Sequence, residues 1–369
     1  MPTPFRTVFL AFAALVFAAC GLADFRLPSA EISWTFPLLE EGRVVCEGEI
    51  VGSLQMAGGG LVIAATRAGR VYAVEAAPPA VRWEYAAKAP VDLPAAAGES
   101  RVLVVDRNGG LSGLDLEGKL VWEVKLEGTV GPGPVAAAGR AFLALEGTKI
   151  KAFDLGRGTE AWSVAVPAAI RSHFAPWRGG VAFGTADKKV HLLAPDGRVV
   201  KTREVTAALV GPAFAAGDIL VASLEDNSIV AWDLPSLDRR WSVRLGGGLA
   251  AAPAFDGRRL FAVLSNHVLF CLSAGSGTTL WWNSLPGRGL YPPAVAGTHV
   301  FATAPSPSVA AFPILGGPRV EAFAAPQDIH AGPLWVAPTL WVGTFDPGSG
   351  RTTILVLKTP PPPAKEKKS

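Results

Sequence analysis

Seven side chains able to bind ligands or move protons, Asp92, Arg171, His173, Arg288, Tyr291, Asp328 and His330, fall near the starts of equivalent segments in a repeating sequence. If those segments surround an axis, the carboxylates, imidazoles, guanidiniums and phenol line one mouth of a channel, where small ligands commonly bind. The alternative is a solvated funnel with no specific ligand. Other catalytic signatures are poor. His173, His191, His267, His299 and His330 show no HExxH spacing, and the chain has no Cys-x-x-Cys, no GxSxG and no phosphate-binding GxxxxGK[ST]. Zinc chemistry and two common hydrolase classes are therefore not expected, and no cofactor is assigned.

The elements that must position these groups are set by a repeat of about forty residues. An acidic or equivalent residue closes a short apolar strand at Glu75, Asp115, Asp154, Ala194, Asp233, Ser273 and Pro313. A tryptophan follows at Trp83, Trp122, Trp162, Trp241 and Trp281, while Thr202 and Glu321 stand where the other two are expected. The apolar runs are short and bounded by Gly, Pro and Asn, so they read as strands rather than helical stripes. Four per unit predict an antiparallel blade, and the 369-residue chain holds seven full units plus an eighth with three strands. The expected fold is all-β, an eight-bladed β-propeller. The segment Glu31 to Pro37, centred on Trp34, reads as the missing fourth strand, which would close the ring by completing the last blade.

Large rings at one phase of every outer strand predict wedges between blades, so the units with Thr202 and Glu321 are expected to pack most weakly. The acidic residues sit in different blades. They are expected to bond turn amides rather than converge on a metal.

Residues 1–19 carry Arg6 and then an apolar run from Val8 to Ala19, too short to span a bilayer comfortably. This predicts an export signal. It ends in Phe-Ala-Ala-Cys-Gly, which resembles a bacterial lipobox and would make Cys20 a lipidated first residue of the mature chain, with cleavage after Ala23 as the alternative. Residues 20–30 read as a linker, 31–358 as the propeller, and 359–369, rich in Pro and Lys, as a disordered tail. Cys46 and Cys271 are expected to be too far apart to bridge. The net charge of +3 is terminal: without Arg6 and the four lysines and one glutamate from Lys358 onward, about −1 remains. That excludes the concentrated positive charge nucleic-acid binding requires.

Segments such as GRVYAVEA with RWEY, KIKAFDLGRGTEAWSV and SIVAWDLPSLDRRWSV resemble the PQQ-type propeller repeat across about residues 31–358. An exported, lipid-anchored eight-bladed propeller without other domains looks most like the BamB family of outer-membrane β-barrel assembly lipoproteins. That resemblance implies a non-enzymatic scaffold at the periplasmic face of the outer membrane, binding envelope proteins through its loops. The repeat also occurs in quinoprotein dehydrogenases, so a dehydrogenase or a small-ligand- or carbohydrate-binding propeller is the alternative. This chain has neither the adjacent cysteines nor the long capping insertions of those enzymes.

Overall fold

The strand pattern of the sequence folds into eight four-stranded antiparallel sheets in a computed structural model, which describes residues 34–98 and 100–360. The leader, Cys20 and the end of the tail lie outside the described residues. The first blade shows the scheme: Gln55–Met56, Val62–Ala65, Arg70–Ala76 and Pro79–Ala86 pair in that order. Second strands such as Val62–Ala65, Val102–Val105 and Ile219–Leu224 are buried along their whole length. A strand covered on both faces must be apolar without alternation, and here the two neighbouring blades supply the cover. First strands of neighbouring blades touch one another. Their small residues, such as Ala96–Ala97 and Ala294–Ala296, suit that crowded position around the axis.

The tryptophans act as latches. In five blades one outer-strand indole donates its Nε1 hydrogen to a carbonyl in the next blade's turn between third and outer strands: Trp83 to Leu116, Trp122 to Leu155, Trp162 to Pro195, Trp241 to Ala274 and Trp281 to Ile314, at 2.8–3.0 Å. Opposite each ring, on the third strand of its own blade, stands a small residue: Ala73, Gly113, Ala152, Ala231 and Cys271 respectively. The space is limiting. A Cβ on Gly113 would lie 2.2 Å from the Trp122 ring.

The outer strands of the fourth, seventh and eighth blades carry no tryptophan, and in the two expected to pack weakly other rings fill the gap. In the fourth blade the sizes are exchanged: His191 pairs with Thr202 and stacks on Phe183 at 5.1 Å. Its ring nitrogens lie 3.0 Å from the Thr185 hydroxyl and 3.1 Å from that of Thr202. In the seventh blade Glu321 is exposed and the buried Ala322 faces the next blade. Trp34 fills that interface instead.

Burial holds the His191 imidazole below its ordinary pKa of 6.5, against a smaller opposing pull from Asp187. Burial has the same effect on His173 and His299. The unfolded chain therefore binds protons more readily than the native ring, and the stability these neutral histidines contribute is lost as pH falls below 6.5. Melting temperature should drop on acidification below this pH, and His191→Gln should reduce the slope. An unchanged slope would contradict the assignment.

Ring closure differs from the sequence-based expectation in its register. The strand that completes the last blade is Leu39–Glu47, not Glu31 to Pro37. It pairs with Arg351–Lys358, beyond Thr339–Asp346 and Ile329–Val336. Val44 and Cys46 turn inward against Tyr72, Trp341 and Ile354, while Leu39, Glu41, Arg43, Val45 and Glu47 face solvent. Tyr72 then reaches across from the first blade, its hydroxyl accepting from the Glu47 amide at 3.1 Å. Trp34 precedes this strand as a plug. Its Nε1 donates to the Ala296 carbonyl at 2.8 Å, and its ring meets Phe301 and Trp335 at 4.7 and 5.2 Å.

Cys46 therefore belongs to the eighth blade. It and Cys271 are buried free thiols, and burial pushes both up to about 12. A thiol so rarely ionised is a poor nucleophile.

Candidate functional site: the polar rim of the ring

In every blade but the seventh, where the position is Pro305, a backbone bond ties the segment leading into the first strand to the end of the second strand or the turn that follows it. The amide of Arg67 donates to Glu49, that of Arg107 to Pro90, that of Glu225 to Ala208 and that of Phe345 to Asp328, at 2.8–3.2 Å. Matching positions in the repeat therefore arrive at one end of the ring. Polar side chains there form a rim.

Three of the seven candidates join one arc. The Arg107 guanidinium grips Asp92 with two bonds of 2.7 and 2.9 Å, and Arg67 approaches the same carboxylate at 3.7 Å. Arg67 also reaches Glu49 at 3.1 Å, and Glu49 meets His330 of the eighth blade at 3.2 Å. The bond from Arg107, more than the two cationic charges, holds the Asp92 carboxyl below its usual range. Tyr291, from the seventh blade, packs over Gly332, where a Cβ would come within 2.2 Å of the tyrosine Cβ. Burial, reinforced by the Glu49 charge, pushes its phenol up to about 12.

The other four candidates do not join this arc. Arg171 pairs with Glu225 at 3.5 Å, on the fourth and fifth blades. His173 is bound through its backbone amide to Gly211 at 2.8 Å, and burial disfavours its charged form. Arg288 and Asp328 are exposed. Sequence reasoning missed Glu49, Arg67, Arg107 and Glu225, although the forty-residue interval between Arg67 and Arg107 marks them as equivalent turn residues.

The chemistry available is that of a solvated ion-pair rim. Exposed pairs of this kind contribute about 0–1 kcal/mol each, so the arc orders side chains more than it stabilises the ring. Among the described residues, no three His, Cys, Asp or Glu side chains gather closely enough to hold a metal ion. The strand-closing acids are spread around the blades as expected, but only some bond turn amides. Asp115 accepts from the amides of Glu117 and Lys119, and Asp154 from those of Gly156 and Arg157. Glu75 and Asp233 instead pair with Arg82 and Arg240. At the opposite end of the ring, a 440 Å³ open cleft is lined in part by Arg140, Asp154 and Asp196. Both carboxylates are already engaged there, by Arg140 and Arg198.

Eight blades, five of them latched by an outer-strand tryptophan, with an N-terminal closing strand and no appended domain among the described residues, define a PQQ-type β-propeller. A family profile described as "Outer membrane protein assembly factor BamB" matches residues 23–115, 91–242 and 225–320. The chain belongs to this BamB family. BamB from Moraxella catarrhalis superposes with a TM-score of 0.70 at 17% identity, over 86% of this chain and 99% of that one. The computationally designed Ika8 protein gives 0.67 at 14% identity, over 86% and 99%. Quinohemoprotein alcohol dehydrogenase from Comamonas testosteroni gives 0.65 at 12% identity, over 88% and 78%. At such identities the structural likeness shows the fold alone. A search of curated proteins finds no match.

Proposed function

We propose that the chain is a non-enzymatic scaffold of the bacterial envelope. It is exported, held at the periplasmic face of the outer membrane by lipid on Cys20, and displays its inter-strand loops to protein partners, the barrel-assembly machinery first among them. The observation that carries this reading is the family match, which spans most of the propeller. The rim agrees with it: Asp92 and Glu49 are occupied by Arg107, Arg67 and His330 instead of converging on a shared ligand. Short loops on a rigid ring suit recognition of a protein surface.

Crosslinking in the native envelope, followed by identification of the captured proteins, tests the proposal. Recovery of the barrel-assembly core is the expected result, and its consistent absence would contradict the assignment. A quinoprotein activity would be exposed separately by a stable chromophore and dye reduction after incubation with quinone and calcium. Neither is expected.

A further inference from the structure

We propose that the outer corner of the sixth, seventh and eighth blades lies against a lipid surface, with Leu315, Leu280 and Trp282 as its contact residues. This rests on the reading that lipid on Cys20 tethers the ring. Both ends of the described chain meet at this corner. The Thr35 amide donates to the Thr359 hydroxyl at 3.0 Å, and the two threonine hydroxyls lie 2.7 Å apart. Trp34, only 6% exposed, fixes where the lead-in leaves the ring. The 14 steps of chain from Cys20 to Trp34 span at most about 50 Å. Whatever holds Cys20 is therefore joined to the ring through this corner and lies within that reach of it.

The same corner breaks the pattern of its sister blades. Two positions after the repeat's strand-closing residues Asp115, Asp154, Ala194, Asp233 and Ser273, the turns of the second to sixth blades carry Glu117, Gly156, Asp196, Pro235 and Gly275. The seventh carries Leu315, which is 86% exposed. On the outer strand of the sixth blade, Leu280 and Trp282 are 52% and 61% exposed. That strand is fixed to the Leu315 turn through its other face: Trp281 bonds the Ile314 carbonyl at 2.9 Å, and the Asn283 side chain bonds that of Gly317 at 3.3 Å, so Leu280 and Trp282 project from the opposite side of the strand at the same edge of the ring. Ile314 is tied to Thr298 at 3.0 Å, and the adjacent His299 meets Phe36 of the lead-in edge-on at 5.2 Å. Exposed Arg319 stands next to this turn and can meet lipid phosphate. Leucine and tryptophan at the water–hydrocarbon boundary with a neighbouring cation are the side chains that rest in a headgroup layer.

The test uses the full chain, processed in cells and reconstituted into phosphatidylethanolamine vesicles containing phosphatidylglycerol. Trp282→Cys and Leu315→Cys are labelled singly with an environment-sensitive dye, with Val199→Cys on the fourth blade as the far-edge control. Val199 is 56% exposed, whereas Cys46 and Cys271 are buried at 1% and 0% and stay unlabelled in the native ring. A nitroxide on the lipid acyl chain should quench the dye at 282 and 315 several-fold more than at 199. Leu315→Glu should reduce the quenching at 282 several-fold while leaving vesicle flotation intact. Floating protein with equal or no quenching at all three positions would overturn the docking corner alone. Failure to float would remove the tether and the proposal with it. Dye shielded at 282 and 315 without lipid, with a dimer in sedimentation, would assign the patch to a second copy and overturn contact with lipid.

Discussion

Replacing Trp122 with alanine should lower the stability of the ring by about 3–5 kcal/mol, the range for truncating a large buried aromatic. The ring is 8% exposed and held between two glycines, Gly113 of its own blade and Gly158 of the next. Cβ atoms at those positions would lie 2.2 and 2.5 Å from the indole, so the two residues that sandwich it have no side chain to fill the space it leaves. Truncation also leaves the Leu155 carbonyl without the 3.0 Å indole bond. A polar group stripped of its partner in a buried setting costs about 1–3 kcal/mol. The measurement is the denaturant midpoint. Trp282→Ala, which removes a side chain 61% exposed, should move it far less. Equal shifts for the two variants would show that the latch has no special place in the fold.

Deleting Leu39–Glu47, with the leader and the rest of the chain kept, should remove more than about 5 kcal/mol, which is the whole margin of many domains. The deletion removes the outer partner along the full length of Arg351–Lys358 and uncovers Ile354 and Val356, which are fully buried in the closed ring. It takes away Val44 and Cys46 from the interface with the first blade and shortens the path that places Trp34 between the seventh and eighth. An apolar strand edge left open is also a template for association. The deleted protein should melt at much lower temperature and elute as aggregate. A monomer that melts near the parent would contradict closure by this strand.

The repeat made the blades legible because each landmark has a local cause. A small residue opposite a tryptophan, and a Gly or Asn where the turn must bend, recur wherever the same blade geometry recurs. The segment SIVAWDLPSLDRRWSV, for example, folds as the third and outer strands Ser228–Asp233 and Arg239–Arg244. Closure was harder to read. Trp34 looked like another outer-strand tryptophan, but it is a plug, whereas the closing strand begins Leu-Glu-Glu-Gly-Arg and shifts register between Glu40 and Gly42. Only alternate residues in its second half are apolar and buried, and one edge strand with one inward face carries a weak signal.

The fourth blade shows the same limit from another side. Thr202 alone predicts a void, and only the pairing across strands shows that His191 occupies it. On the rim, spacing identified the equivalent positions of Asp92, Arg171 and His330. Which of them meet depends on the reach of Arg67 and Arg107 across neighbouring turns, and no periodicity encodes that.

A disulfide across the seam tests the closed ring most directly. Val45 and Thr353 are directly opposed in the pairing of Leu39–Glu47 with Arg351–Lys358, and opposed residues of an antiparallel pair lie within the span a disulfide bridges. In a Cys46→Ser background, Val45→Cys with Thr353→Cys should oxidise to an intramolecular bridge in the folded monomer and raise its melting temperature. Thiols that remain free, or that bridge only between chains, would show that the two ends of the polypeptide do not share a blade.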